Sequence, residues 1–150
     1  MIVIDLFAGA GGLSEGFIKE GYRIIAHVEM NPWACETLRS RMLWNHLTSI
    51  GKEGLFIDYV KNSTYKNAIF LRNILLEKYP EIKHKIYSEV INKKFGIPKN
   101  DPNSTDTREI IDKIEVLLRK ENAHGVDVII GGPPCQAYSM VGRGRLKGKA

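Results

Sequence analysis

No stretch of this chain approaches the roughly 20 consecutive apolar residues that a membrane-spanning helix needs, so a membrane protein of that kind is not expected. Cysteine is scarce: Cys35 and Cys135 are the only two, and neither belongs to a CxxC pair. His27, His46, His84 and His124 show no metal-ligand spacing. No disulfide framework and no metal site is therefore expected. The N-terminal Met1-Ile2-Val3-Ile4-Asp5 lacks the basic start and long apolar segment of a signal peptide, which makes a cytoplasmic protein the default. There is no internal repeat. What remains is 150 residues, 43% hydrophobic and 26% charged, enough for one soluble domain with a real core. The net charge of +5 permits a nucleic-acid partner without requiring one.

Two turns stand out. Ile2-Val3-Ile4-Asp5-Leu6-Phe7 is apolar almost throughout and reads as a strand buried on both faces. It runs into Ala8-Gly9-Ala10-Gly11-Gly12, and a helix is predicted from about Leu13 to Glu20, with Gly21 at the C-cap glycine position. Arg23 to Glu29 reads as a second strand ending on an acid. Asn31 and Pro32 then suit the cap and first turn of a helix from Trp33 to about Leu43, which carries Cys35.

Strand, glycine turn, helix, strand and acid in that order point to a nucleotide-type cofactor. The glycines let backbone N–H groups approach the ligand, the helix N-terminus favours an anionic group, and the acid accepts from ribose hydroxyls. The match to GxGxxG is incomplete, because Ser14 stands where the third glycine would be. S-adenosylmethionine, with a ribose and a carboxylate but no pyrophosphate, suits this shorter turn better than a dinucleotide.

The second turn is Gly131-Gly132-Pro133-Pro134-Cys135-Gln136-Ala137-Tyr138-Ser139-Met140. It follows the β-branched run Val126 to Ile130, which reads as a buried strand. The glycines and prolines stop that strand and hold a cysteine just past its C-terminal end, the edge where open α/β sheets bind ligands. A thiol there is a nucleophile once deprotonated. The tail that follows, through Arg143, Arg145, Lys147 and Lys149, alternates glycine with positive charge.

The middle, about 44–105, is predicted to be a helical insertion, because it exceeds what two neighbouring α/β units need. Asn67 to Tyr79 and Ile82 to Phe95 show helical spacing, and Leu55 to Val60 reads as a short strand or a helix start. Residues 97–104, with two prolines and two asparagines, read as a loop. Asp106-Thr107-Arg108-Glu109 has the capping-box pattern of a helix that continues to about Asn122, with Ile110, Ile111, Ile114, Leu117 and Leu118 as its apolar face and Gly125 beyond its end.

With both turns in place the chain resembles the DNA (cytosine-5) methyltransferase family. Asp5-Leu6-Phe7-Ala8-Gly9-Ala10-Gly11-Gly12-Leu13-Ser14 is similar to its cofactor motif, Glu29 to its ribose-binding acid, and Gly131-Gly132-Pro133-Pro134-Cys135-Gln136 with Tyr138-Ser139 to its catalytic motif. The resemblance covers about 1–43 and 106–150; none of it is expected in the insertion. It implies an α/β, Rossmann-like S-adenosylmethionine-dependent methyltransferase fold with a mostly parallel sheet. It further implies that Cys135 attacks C6 of a cytosine flipped out of duplex DNA, so that C5 accepts the methyl group. Phe7, Ala8, Gly9, Gly11, Gly12, Leu13, Glu29, Met30 and Pro133 would line S-adenosylmethionine. Asp106 would meet its adenine amino group, with Asp58 the alternative. Gln136 and Ser139 would lie near the flipped base, and Arg143 and Arg145 near the DNA backbone.

Other readings stay open. Asp5 either contacts the ligand or supports the loop, and Asp106 is either a cofactor contact or only a helix cap. Cys35 is expected in the core, and Trp33 and Trp44 are expected to pack. Competing functions are a tRNA cytosine-5 methyltransferase and a non-catalytic cofactor-binding subunit or fragment. The family's later motifs, a base-contacting glutamate in a Glu-Asn-Val-like segment, an Arg-x-Arg-like segment and a target-recognition domain, do not occur in these 150 residues. The chain is thus expected to be the N-terminal portion of a catalytic domain. It would be inactive without a C-terminal portion or partner chain, in an enzyme of a restriction–modification system.

Overall fold

A computed structural model describes residues 1–96, 100 and 102–133. Its centre is a parallel four-stranded sheet in the order β3-β2-β1-β6, built from β1 (Ile2–Leu6), β2 (Arg23–Glu29), β3 (Val90–Asn92) and β6 (Val128–Gly131). Helices cover both faces. Successive residues of β3 show this: Val90 packs with Cys35 and Leu38 of α2 (Pro32–Ser49), while Ile91 joins the core under α6 (Thr107–Lys120). This is the α/β, Rossmann-like methyltransferase fold that the sequence predicts. No helix of the described residues is long and apolar enough to cross a membrane.

Local chemistry places the first half. Helix α1 (Gly12–Lys19) ends where Gly21 takes φ 79° and its N–H reaches the Ile18 carbonyl, while Tyr22 N–H reaches Phe17. That pair of bonds satisfies carbonyls a helix end leaves open. Helix α2 starts on the Asn31 side chain, which accepts from Trp33 N–H and Ala34 N–H, with Pro32 in its first turn. It runs to Ser49, one and a half turns beyond the predicted Leu43, because Leu43 and Leu47 are buried against Leu75, Leu76, Ile82 and Ile86 of the following helices. Trp44 packs edge-on to Phe56, as expected. Trp33 does not pack: it is 66% exposed in the first turn of α2.

The middle departs from a purely helical insertion. Helices α3 (Glu53–Asn62), α4 (Ala68–Leu76) and α5 (Pro80–Glu89) are present. The predicted helix over 82–95, however, stops at Glu89. Val90 and Ile91 instead form β3, whose residues 90–92 pair with His27, Val28 and Glu29. Two β-branched residues find a buried edge beside β2, and pairing there outweighs weak helical spacing. Phe95–Gly96 (β4) and Thr105–Asp106 (β5) form a separate parallel ladder.

Helix α6 buries Ile110, Ile114 and Leu117 on one stripe, worth about 1.5–3 kcal/mol each. Ile111 lies outside it, 40% exposed. Asp106 caps the helix by accepting from Arg108 N–H at 2.8 Å. The capping box is not closed, since Glu109 turns to Lys93 and Lys113. Asn122, rather than Gly125, takes the left-handed turn after the helix, at φ 51°, and Ala123 N–H returns to Leu118.

At the far end β1 and β6 run side by side, with Leu6 opposite Gly131. A Cβ at Gly131 would stand 2.0 Å from the Leu6 carbonyl oxygen. Gly131→Ala is therefore expected to destabilise the protein by about 2–3 kcal/mol in denaturant unfolding, while Gly125→Ala, in open space, changes stability by less than about 0.5 kcal/mol.

Candidate functional site

The glycine turn begins with a backbone reversal. Leu6 ends β1, and Phe7 takes φ 58°, a left-handed conformation that costs a non-glycine residue about 1–3 kcal/mol. Ala8 N–H is held by Val28 O at 3.1 Å, and Gly11 N–H by Ala8 O at 3.0 Å. Gly9 and Gly11 also have positive φ, 54° and 82°. Their surroundings differ. A Cβ on Gly11 would stand 2.6 Å from Leu38 Cδ2, whereas one on Gly9 or Gly12 would meet nothing within 4 Å. Gly11 is thus a packing glycine, and Gly9 faces open space.

Under the turn lies a buried polar cluster. Asp5 is 1% exposed, and its carboxylate accepts from the Ser14 hydroxyl at 2.5 Å. His27 Nδ1 lies 3.3 Å from the same hydroxyl and 3.8 Å from Asp5 Oδ2. Ser14 occupies the place of a third glycine because its hydroxyl meets Asp5. Asp5 thus ties the end of β1 to α1 from a buried position.

Glu29 joins the glycine turn to the turn that enters α2. Its Oε2 accepts from Gly9 N–H at 2.8 Å and its Oε1 from Asn31 N–H at 2.7 Å. Hydrogen bonds to a carboxylate contribute about 1.5–3 kcal/mol each. The acid at the end of β2 is thus anchored over the glycine turn twenty residues earlier in the chain. Around it stand apolar side chains left in the open: Met30 is 61% exposed, Leu13 51% and Phe7 38%.

Two residues of this site carry no sequence signal. Asn92, in register with Glu29, donates through Nδ2 to Glu29 O at 2.9 Å and Met30 O at 3.0 Å. Phe95 packs on Phe7 with ring centroids 5.4 Å apart and the planes tilted by 48°. Both come from the stretch expected to be an insertion. Of the two acids considered for the adenine, Asp106 is exposed on the small ladder beside Gly96. Asp58 is exposed on α3, which packs on α2 and α4. Pro133 is exposed just past β6. Pro134, Cys135, Gln136, Ser139, Arg143 and Arg145 lie outside the described residues.

A cavity of about 380 Å³ opens elsewhere, between α1, α2 and α5 and lined by Tyr22, His27, His46 and Lys85 among others. It lies toward the opposite edge of the sheet and contains none of the expected site residues, so the glycine-turn edge remains the candidate.

Cys35 is in the core, as expected. It is fully buried and its thiol donates to Glu29 O at 3.4 Å. Burial pushes the thiol up from 9.0 to about 11, with Arg39 pulling it the other way. A thiol that stays protonated is a poor nucleophile. Because the folded thiol holds its proton longer than the unfolded one, its contribution to stability is complete below pH 9 and is lost as pH rises toward about 11. Unfolding free energy is expected to fall less steeply between those pH values in Cys35→Ala than in the parent, measured by denaturant titration.

Residues 1–53 match the family model described as C-5 cytosine-specific DNA methylase. Among curated proteins, the chain is 49% identical over 148 residues to the type II methyltransferase M.Bpa9945I of Bacillus paralicheniformis, covering 98% of this chain and 33% of that protein. That match extends across the middle stretch, where no resemblance was expected. The chain is also 28% identical over 140 residues to the type II methyltransferase M1.HphI of Haemophilus parahaemolyticus, covering 93% of this chain and 22% of that protein. To the type II methyltransferase M.DdeI of Desulfomicrobium norvegicum it is 28% identical over 142 residues, 95% and 20% respectively. The chain spans about a third or less of the length of these relatives. No solved structure matches it.

Proposed function

We infer that this chain is the N-terminal portion of the catalytic domain of a DNA (cytosine-5) methyltransferase, and that its glycine turn and Glu29 hold S-adenosylmethionine. Its relation to the C-5 cytosine-specific DNA methylases supports the chemistry. The observation that carries the cofactor reading is the carboxylate of Glu29, held on the N–H of Gly9, a glycine with open space where a side chain would stand, at the C-terminal edge of a parallel sheet. The donor set fits the group. A carboxylate that already accepts two backbone N–H bonds has lone pairs left for ribose hydroxyls. The space a Cβ of Gly9 would fill lets the ligand approach the backbone. Phe7, Leu13 and Met30 offer apolar surface for the adenosine, with Ala8, Gly11, Gly12 and Pro133 completing the lining. Asp106 is assigned to the adenine amino group.

When bound, S-adenosylmethionine supplies the methyl group. The chain contributes the nucleophile. The β6 strand ends opposite Leu6, so the Pro133 turn leaves the sheet at the same edge as the glycine turn. From there Cys135, as thiolate, adds to C6 of a flipped cytosine in duplex DNA and makes C5 nucleophilic. Loss of the C5 proton after methylation expels the thiolate. Gln136 and Ser139 contact the base, and Arg143 and Arg145 the DNA backbone. The acid that protonates the base and the segment that reads the DNA sequence come from a C-terminal portion or a partner chain. These 150 residues alone are inactive. The complete enzyme acts in the cytoplasm, in restriction–modification.

In the complete protein, Cys135→Ala is expected to bind S-adenosylmethionine by calorimetry but not to trap a fluorocytosine-containing duplex covalently. Trapping by that variant overturns the nucleophile assignment. Glu29→Ala is expected to weaken cofactor binding about tenfold or more. The isolated chain should incorporate no labelled methyl into duplex DNA; incorporation overturns its dependence on the remainder.

A further inference from the structure

We propose that Asn92 is a positioning residue for the cofactor's ribose, acting through the main chain of Glu29 and Met30; the inference rests on the S-adenosylmethionine reading above. Glu29 and Met30 stand where β2 ends, and buried or partly buried main-chain carbonyls there need donors from the neighbouring strand or from side chains. Asn92 supplies a side-chain donor to each of the two. It spends its amide N–H groups on Glu29 O at 2.9 Å and Met30 O at 3.0 Å. Besides Asn92, Glu29 O accepts from Lys93 N–H at 3.1 Å and from the Cys35 thiol at 3.4 Å.

Glu29 O belongs to the Glu29–Met30 peptide and Met30 O to the next, so Asn92 holds both peptide planes that flank Met30. Holding them fixes the stretch of main chain from which the Glu29 and Met30 side chains depart. The Glu29 carboxylate is thus aimed twice: at its tip by Gly9 and Asn31, and at its root by Asn92. Met30, 61% exposed and without side-chain packing partners in the core clusters, depends on its backbone alone for its place beside the site. Asn92 itself is exposed. Its amide holds a main-chain turn at this edge and also reaches the buried Cys35 thiol. An aspartate there would set an acceptor against two acceptors, so the isosteric change reverses the interaction while keeping the shape.

The test compares the complete protein with its Asn92→Ala and Asn92→Asp variants, using calorimetry with S-adenosylhomocysteine and its 2′-deoxy analogue. The parent is expected to lose about tenfold in affinity when the hydroxyl is removed. In Asn92→Ala the affinity for S-adenosylhomocysteine should fall about tenfold, and the loss on removing the hydroxyl should shrink to about threefold or less. Asn92→Asp should fall further than Asn92→Ala. Combined with Glu29→Gln, Asn92→Ala should cost less than the sum of the two changes. If both variants melt earlier yet keep the parent's affinity and its full dependence on the hydroxyl, Asn92 only supports β3 and the proposal is overturned. If the parent binds neither compound, the cofactor reading itself fails, and this inference with it.

Discussion

The carboxylate of Glu29 is the point on which the candidate site depends. It ties the glycine turn to the turn that enters α2, through Gly9 N–H and Asn31 N–H. Those two N–H groups lie on either side of the acid in sequence, and no strand or helix bonds them. A second tie between the glycine turn and β2 is Ala8 N–H on Val28 O. The same group serves as anchor and as prospective ligand contact, because a carboxylate offers more acceptor sites than two backbone donors consume.

The turn it anchors is built against backbone preference. Phe7, Gly9 and Gly11 all take positive φ within five residues, and the surroundings hold them there. Gly11 is pressed on Leu38, Phe7 on Phe95, and the buried Asp5–Ser14–His27 cluster braces β1 against α1 and β2. Strain of this kind persists only where packing and hydrogen bonds over-determine it. It leaves Gly9 as the unfilled position of the three.

The long middle stretch is tied to this site at two levels. Helices α3 to α5 complete a second core on α2 around Leu43 and Leu47. Arg72, 1% exposed, reaches from α4 to the Glu36 carboxylate and the Glu36 carbonyl, fixing α4 to α2 near its start. A buried guanidinium costs several kcal/mol to desolvate and is tolerated only with such partners. The stretch then returns to the sheet as β3 and brings Asn92 beside Glu29 and Phe95 beside Phe7. It is part of the domain's working structure, which accords with the alignment to the Bacillus paralicheniformis methyltransferase across almost the whole chain.

Signals that act within a few residues were legible in the sequence. The glycine run, the acid closing β2, the Asn31–Pro32 helix start, the Gly21 helix end and the apolar stripe of α6 all depend on neighbours within about one helical turn or one strand alternation, so residue type and spacing declare them. The family resemblance rested on such runs as well. Partnerships set by register were not legible. That Val90 and Ile91 leave a helix to pair with β2, that Asn92 lands beside Glu29, that Gly131 must lack a side chain because Leu6 lies opposite, and that Asp5 turns inward to Ser14 follow from strands paired across the sheet. Parallel pairing joins segments at no fixed separation along the chain, and no local pattern encodes the partner. The sequence by itself determined which residues make the turns and the chemistry they are suited to; the tertiary structure decided which of them meet, because only the packed sheet brings residues 5, 29, 92 and 131 to one place.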